Sequence, residues 1–325
     1  MASEHIINIL PDEAAWKQAA KQWHRELLKL PVLSMGDSTK YMTGLPGCTT
    51  NQYLGTVQAS AQFYPYAADK RGSSETNIEF RELPITFGAM NYDFVPNDYV
   101  QTLLGKGAAV LGEGQAKSQM AKLILAEILR SAGENLALAL ADAKYVANGN
   151  TSKDLFDGFV TIIKNEQRNN KLSADLKNYE ELTTVIDDTN CCEAMKSILF
   201  GLDRRLRRQE LFVYCDPALV DYYNESYQLT HTALVYNKQY NQPYVEGSNG
   251  KMTFAPLDAL AGSDYMWVAP KMNVVYGHDG MSRLEKLEVI RHDVDTFTAA
   301  AKIFFGVNFR TLDYRFLKVF KLATA

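Results

Sequence analysis

Two aspartates three residues apart, Asp154 and Asp157 in "NTSKDLFDGF", are the first residues to weigh as chemistry. A carboxylate pair in unequal surroundings can divide acid and base work between its members. Spacing alone separates no pKa values, however, and Asp157 stands directly before Gly158, where an Asp side chain that bonds its own backbone makes a turn. The pair therefore reads as turn chemistry, with Asn148, Gly149, Asp157 and Gly158 as structural turn residues. His278 in "GHDG" and His292 in "RHDVD" offer His and Asp donors that a metal accepts. Yet no HExxH occurs, and "GHDG" lies between two strand patterns with ordinary turn composition, so no metal site is expected. Cys48, Cys191, Cys192 and Cys215 form no CxxC pair and read as reduced thiols. The stretch "GKGAAVLGEG", with Gly105, Gly107, Gly112 and Gly114, misses the GxxxxGK[ST] spacing of a phosphate loop. No GxSxG elbow appears either. No catalytic constellation remains, and neither an enzyme nor a cofactor is expected.

Composition is that of an ordinary soluble globular protein. The chain has 325 residues, 46% hydrophobic and 22% charged, with a formal net charge of −4. That length allows two domains or one elongated subunit. The charge argues against a dedicated nucleic-acid binder, although one face can still be basic. The opening "MASEHIINILPDEAAW" lacks the basic n-region and apolar core of a signal peptide, and no window approaches a membrane span. A cytosolic protein is expected, with no membrane partner.

The elements that must position these residues are read from periodicity. Residues 11–30 place Trp16, Ala19, Ala20, Trp23, Leu27 and Leu30 on one stripe, an amphipathic helix whose two tryptophans read as a docking face. Residues 31–53 carry scattered Gly, Pro, Ser and Thr and read as an extended arm. "TVQASAQF" alternates as a half-buried strand, and "NIEFRELPITFG" returns with a phase slip, which predicts a bulge near Glu82, Leu83 and Pro84. Together they form a long hairpin, 54–95, with a polar tip "ADKRGSSET" and roughly 30–35 Å of reach. Such a hairpin is marginal in water and needs a body or a neighbour to lie on.

Met120, Ile124, Ile128, Ala132, Leu136 and Leu140 form an i+4 ladder, predicting a helix over 115–147 that Asn148 and Gly149 terminate. At roughly 50 Å it exceeds what a compact domain needs. Beyond it, Phe159 to Ile163 read as a short buried strand. "NCCEAMKSILFGLDRRLRRQ" reads as a helix with Asn190 and Glu193 as a capping box and Arg204, Arg205, Arg207 and Arg208 at its C-terminal end. That cluster suits a charged subunit contact or a solvated helix end. "ELFVYC" is a core strand, Asp216-Pro217 opens a helix over "PALVDYYNESYQL", and from residue 266 a run of strands reaches the C-terminus.

Hairpin, long helix, "DLFDGFVTIIKN", "FGLDRRLRRQELFVYCDPALVDYYNESYQ" and "WVAPKMNVVYGHDG", in that order, resemble a tailed-bacteriophage major capsid protein of the Hong Kong 97-like fold. The resemblance implies an α+β chain: an N-terminal helix and arm (1–53), an E-loop hairpin (54–95), a P-domain (96–153 and 267–325) with its spine helix (115–147), and an A-domain (154–266). It implies self-assembly into pentamers and hexamers of an icosahedral shell around double-stranded DNA, hence a virion location after assembly in a bacterial cytoplasm. Portal and other virion proteins are implied partners, with DNA held by non-specific contact. Only about 50 residues precede the hairpin, so scaffolding is expected from a separate protein. Nothing identifies a partner for a cross-link from Lys70. The candidate inter-subunit residues are Trp16, Trp23, Asp69, Lys70, Arg71, Arg204, Arg205, Arg207 and Arg208. Two alternatives stand beside the capsid: an encapsulin-type compartment shell of the same fold, and a cytosolic enzyme using Asp154, Asp157 or His278.

Overall fold

The computed structural model describes residues 11–60, 63, 65, 66, 75–96, 113–230, 243–279, 286–293 and 296–323. Asp69, Lys70 and Arg71 lie outside the described residues.

The N-terminal helix is shorter than its stripe predicts. Asp12 caps α1 (Glu13–Gln22) by accepting from the Ala15 N–H at 2.7 Å. The chain then breaks at Trp23 and resumes as α2 (His24–Leu27), α3 (Leu30–Ser34) and α4 (Gly36–Thr39). Pro31 explains the second break, since it has no N–H to donate and fits only the first turn of a helix. The expected extended arm over 31–53 is thus helical at its start and becomes extended only near β1 (Thr43–Leu45).

The phase slip in the hairpin is a change of sheet and not a bulge. β2 (Gln52–Ser60) pairs antiparallel with β3 (Glu75–Leu83) as a two-stranded ribbon. After Pro84 and Ile85 the chain continues as β4 (Thr86–Phe94), which pairs with a different strand. Proline cannot donate to a ladder, so it sits where pairing is interrupted.

β4 belongs to a five-stranded sheet with β1, β9 (Val274–His278), β10 (Lys286–Arg291) and β11 (Phe297–Phe309). The 13-residue β11 organises it: β4 runs along one edge, while β10 and then β9 share the other. Over one face lies α5 (Glu113–Ala139), whose Ala121, Ile124, Leu125 and Leu129 meet Trp16, Leu287, Val289 and Phe297.

The second sheet has the order β5-β12-β8-β6-β7, from β5 (Tyr179–Glu181), β12 (Lys318–Lys321), β8 (Tyr265–Ala269), β6 (Leu211–Cys215) and β7 (Met252–Pro256). Every residue of β8 is buried. Its alternation explains why: Tyr265, Trp267 and Ala269 face a core shared with α6 (Phe159–Arg168), while Met266 and Val268 face α7 (Cys191–Gly201) and α8 (Pro217–Thr230). A strand covered on both faces reads as a continuous apolar run. Trp267 stacks on Tyr214 with centroids 5.4 Å apart, and Phe159 lies 5.1 Å from Phe309 of β11, so this aromatic core ties the two sheets together.

Three further expectations are corrected. α5 ends at Ala139, eight residues before the predicted end, and Asn148 and Gly149 lie in a separate turn. Phe159 to Ile163 form helix and not strand. The two corrections have one cause, because the N–H groups of Phe159 and Val160 donate to the carbonyls of Leu140 and Ala141 at 2.9 and 3.0 Å. Two helix ends that would each leave backbone groups unpaired satisfy one another. Finally, α7 stops at Gly201, so the arginines occupy a following turn, and Asn190 makes no side-chain cap. Asp187 takes that place, its Oδ1 accepting from the N–H groups of Thr189 and Asn190 at 3.0 and 2.9 Å.

Candidate functional site

The hairpin leaves one face of its ribbon uncovered. Strand register puts Tyr53, Val57, Ile78 and Phe80 on one face and Leu54, Arg81 and Leu83 on the other. The second face is docked: Leu54 and Leu83 are buried with Val275 of β9. The first face is open, with Tyr53 71%, Val57 66%, Ile78 52% and Phe80 67% exposed. Four large apolar side chains contiguous on an extended ribbon are the mark of an interaction surface.

A buried polar cluster fixes the ribbon's root to the body. Arg81 is buried and donates from Nη2 to Glu166 Oε1 at 2.8 Å and to Asn308 Oδ1 at 3.1 Å. Its Nε donates to the Phe309 carbonyl at 3.1 Å. Asn308 returns a hydrogen bond to the Glu82 carbonyl at 2.7 Å. One guanidinium thereby joins β3, α6 and β11, in the fork geometry that suits arginine to such a place. Where Pro84 crosses β11 the backbones are so close that a Cβ on Gly306 would sit 2.0 Å from the Pro84 carbonyl oxygen.

The sequence-predicted candidates fall into separate places. Trp16 is fully buried, 5.0 Å from Phe94 and 5.8 Å from Phe297, and presents no surface of its own. Trp23 is half-buried beneath the Lys122 ammonium, 5.2 Å from its ring. Asp154 accepts from Thr151 Oγ1 at 2.7 Å and from the N–H groups of Thr151 and Asn150 at 3.0 and 3.2 Å. Those bonds, that from the Thr151 hydroxyl first, hold its carboxyl below the usual range, the opposite of what a general acid needs. Asp157 accepts from the Tyr145 N–H at 2.9 Å. Gly149 and Gly158 stand where side chains do not fit: a Cβ would lie 2.0 Å from Asp154 Cβ in one case and 2.3 Å from the Ala141 carbonyl oxygen in the other.

Other reactive groups are muted by burial. Desolvation pushes the Cys191 thiol up to about 12 and raises Cys48, Cys192 and Cys215 as well, which leaves little thiolate at neutral pH. Burial lowers the His278 pKa, while Asp279 beside it opposes the shift. The His278 ring stacks on Tyr276, and its carbonyl accepts from the Cys48 N–H at 3.2 Å. Among the described residues no group of three His, Cys, Asp or Glu gathers as metal ligands, and no helix is long and apolar enough to cross a membrane.

The arginines form a concentrated basic surface. Arg204, Arg205 and Arg208 are exposed, and the Arg207 guanidinium lies 5.1 Å over the Phe200 ring. Arg204, Arg207 and Arg208 line a groove of about 450 Å³ together with Lys251. Sequence reasoning missed Lys251, Glu166 and Asn308, which are remote from their partners along the chain.

No family model and no curated protein matches the chain. Among solved structures it is similar to a chain of the satellite phage P4 procapsid that includes the size determination (Sid) protein. The TM-score is 0.55 at 11% identity, over 89% of this chain and 97% of that one. Weaker likenesses reach the capsid of the empty GTA particle (TM-score 0.48, 12% identity, 89% and 90% covered) and Mycobacterium phage Adephagia (TM-score 0.48, 11%, 89% and 90%). At such identities the likeness concerns the fold: this chain is a mixed α+β protein that shares the fold of the P4 procapsid chain.

Proposed function

We propose that the chain is the major capsid protein of a tailed phage or prophage, assembling as pentamers and hexamers into an icosahedral shell around double-stranded DNA. The observation that carries the reading is the hairpin, docked by Leu54, Arg81 and Leu83 while it offers Tyr53, Val57, Ile78 and Phe80 outward, on a chain with a phage-capsid fold. We take 54–95 as the E-loop, 96–153 and 267–325 as the P-domain with α5 as its spine, and 154–266 as the A-domain. The open apolar face then lies on a neighbouring copy, and its burial drives assembly. At about 25 cal/mol per Å², hiding four such side chains contributes several kcal/mol per contact, enough when repeated around a ring. Portal and scaffolding proteins are the expected partners, and the virion the expected location. The reading is supported in kind by the P4 particle, whose structure includes a size determination protein.

The test is a pair of polar substitutions on the open face, Ile78→Ser with Phe80→Ser. Because both side chains are already exposed, the unassembled subunit keeps its thermal stability, while sedimentation shows assembly lost or shifted to much higher concentration. Unchanged assembly by this variant would remove the observation on which the proposal rests.

A further inference from the structure

The groove beside α7 has an unbalanced charge. Its walls are the turn after α7 and the 247–251 turn, its floor is Leu199, Leu202, Leu211 and Met252, and Arg204, Arg207, Arg208 and Lys251 line it without an acidic residue. Among the described residues none of these four cations forms an ion pair. Two are held in place. Arg207 stacks over Phe200, and the Lys251 ammonium donates to the Arg208 carbonyl at 3.3 Å. Ser248 and Asn249 complete the polar part of the lining. Four like charges around one hollow repel one another. An anion rich in acceptor oxygens relieves that repulsion.

We infer that this groove seats the phosphodiester backbone of double-stranded nucleic acid. The inference rests on the capsid reading for its source of nucleic acid, and on the groove alone for its chemistry. A volume of about 450 Å³ corresponds to an opening roughly 8 Å across, which at about 3.4 Å of helix axis per phosphate of one strand spans about two phosphates. Two phosphates match four cations through the paired hydrogen bonds that guanidinium groups make. A single carboxylate from another subunit would leave most of that charge uncompensated. No base edge is read, so binding is independent of sequence.

The experiment uses the full-length protein and a fluorescein-labelled 20-base-pair duplex, with anisotropy followed between 50 and 200 mM salt. The comparison is between wild type, Arg204→Ala with Arg208→Ala, and the control Lys144→Ala with Lys153→Ala, which removes the same charge from exposed positions elsewhere. Circular dichroism checks folding, and micrographs of the same preparations record particles. Neutralising two phosphates makes affinity fall about 12-fold across that salt range, and the arginine variant loses most of this dependence while the control keeps it. Equal salt dependence in all three proteins overturns the inference. So does an arginine variant that binds DNA normally but no longer associates, which would make the groove a seat for another subunit's acid. Wild-type protein that binds DNA through the groove yet never forms particles would contradict the capsid reading and leave the site standing.

Discussion

Replacing Arg81 by methionine removes the charge that fixes the hairpin to the body while keeping the length of the side chain. The guanidinium is buried and serves Glu166, Asn308 and the Phe309 carbonyl at 2.8 to 3.1 Å. Its loss leaves a Glu166 carboxylate that is 14% exposed and already has an unbonded Oε2. Breaking a buried pair from one side costs about 3–5 kcal/mol. Lys171 stands 3.9 Å from the same carboxylate and offsets part of the loss, so the low end, about 3 kcal/mol, is expected. Arg81→Met with Glu166→Leu removes both charges and recovers most of that stability, since an apolar replacement of a whole buried pair is often neutral. Urea denaturation measures the cycle. Hydrogen exchange then locates the loss: amides of 75–83 exchange faster in the single variant, because the ribbon's root and not the sheets is released. Single variants that each cost under about 1 kcal/mol and simply add would refute the claim that this pair pins the hairpin.

Other consequences are quicker to check. Gly306→Ala drives a methyl into the Pro84 carbonyl, at 2.0 Å before relaxation, and destabilises by at least 1–3 kcal/mol in thermal melts. Trp16→Ala empties the pocket between Phe94 and Phe297 and costs about 3–5 kcal/mol by denaturation. His278 has a folded pKa below its unfolded value, so its contribution is present above pH 6.5 and is lost as pH falls through that value toward the folded pKa. His278→Gln therefore flattens the stability profile below pH 6.5. The lowered Asp154 pKa acts at more acid pH, its contribution disappearing as pH falls below the ordinary carboxylate range, and Asp154→Asn removes that acid-dependent part alone.

What could be read from the sequence is what local periodicity encodes. Val57 and Ala59 alternate with Gln58 and Ser60, and Ile124, Ile128 and Leu136 recur every fourth residue or its multiple, so ribbon and long helix are legible in the sequence. The slip at Leu83 and Pro84 was visible as well, but a bulge and a change of sheet leave the same trace in one strand's pattern. Ends and junctions were not readable. Asn148-Gly149 carries the composition of a helix stop, yet the stop comes at Ala139, where the carbonyls of Leu140 and Ala141 meet the N–H groups of α6. A short, mostly apolar run such as 159–163 suits strand or helix equally, and the Gly158 crossing at Ala141 favours the helix. The polar cluster at the hairpin root was invisible for a different reason. Arg81 meets Glu166 and Asn308 across 85 and 227 residues, a separation over which one sequence carries no signal.

Electron microscopy of the purified full-length protein, alone and with co-expressed scaffolding candidates, tests the central claim most directly. Closed shells with subunits ringed about fivefold and sixfold axes are the predicted result, and compact monomers under every assembly condition would contradict it.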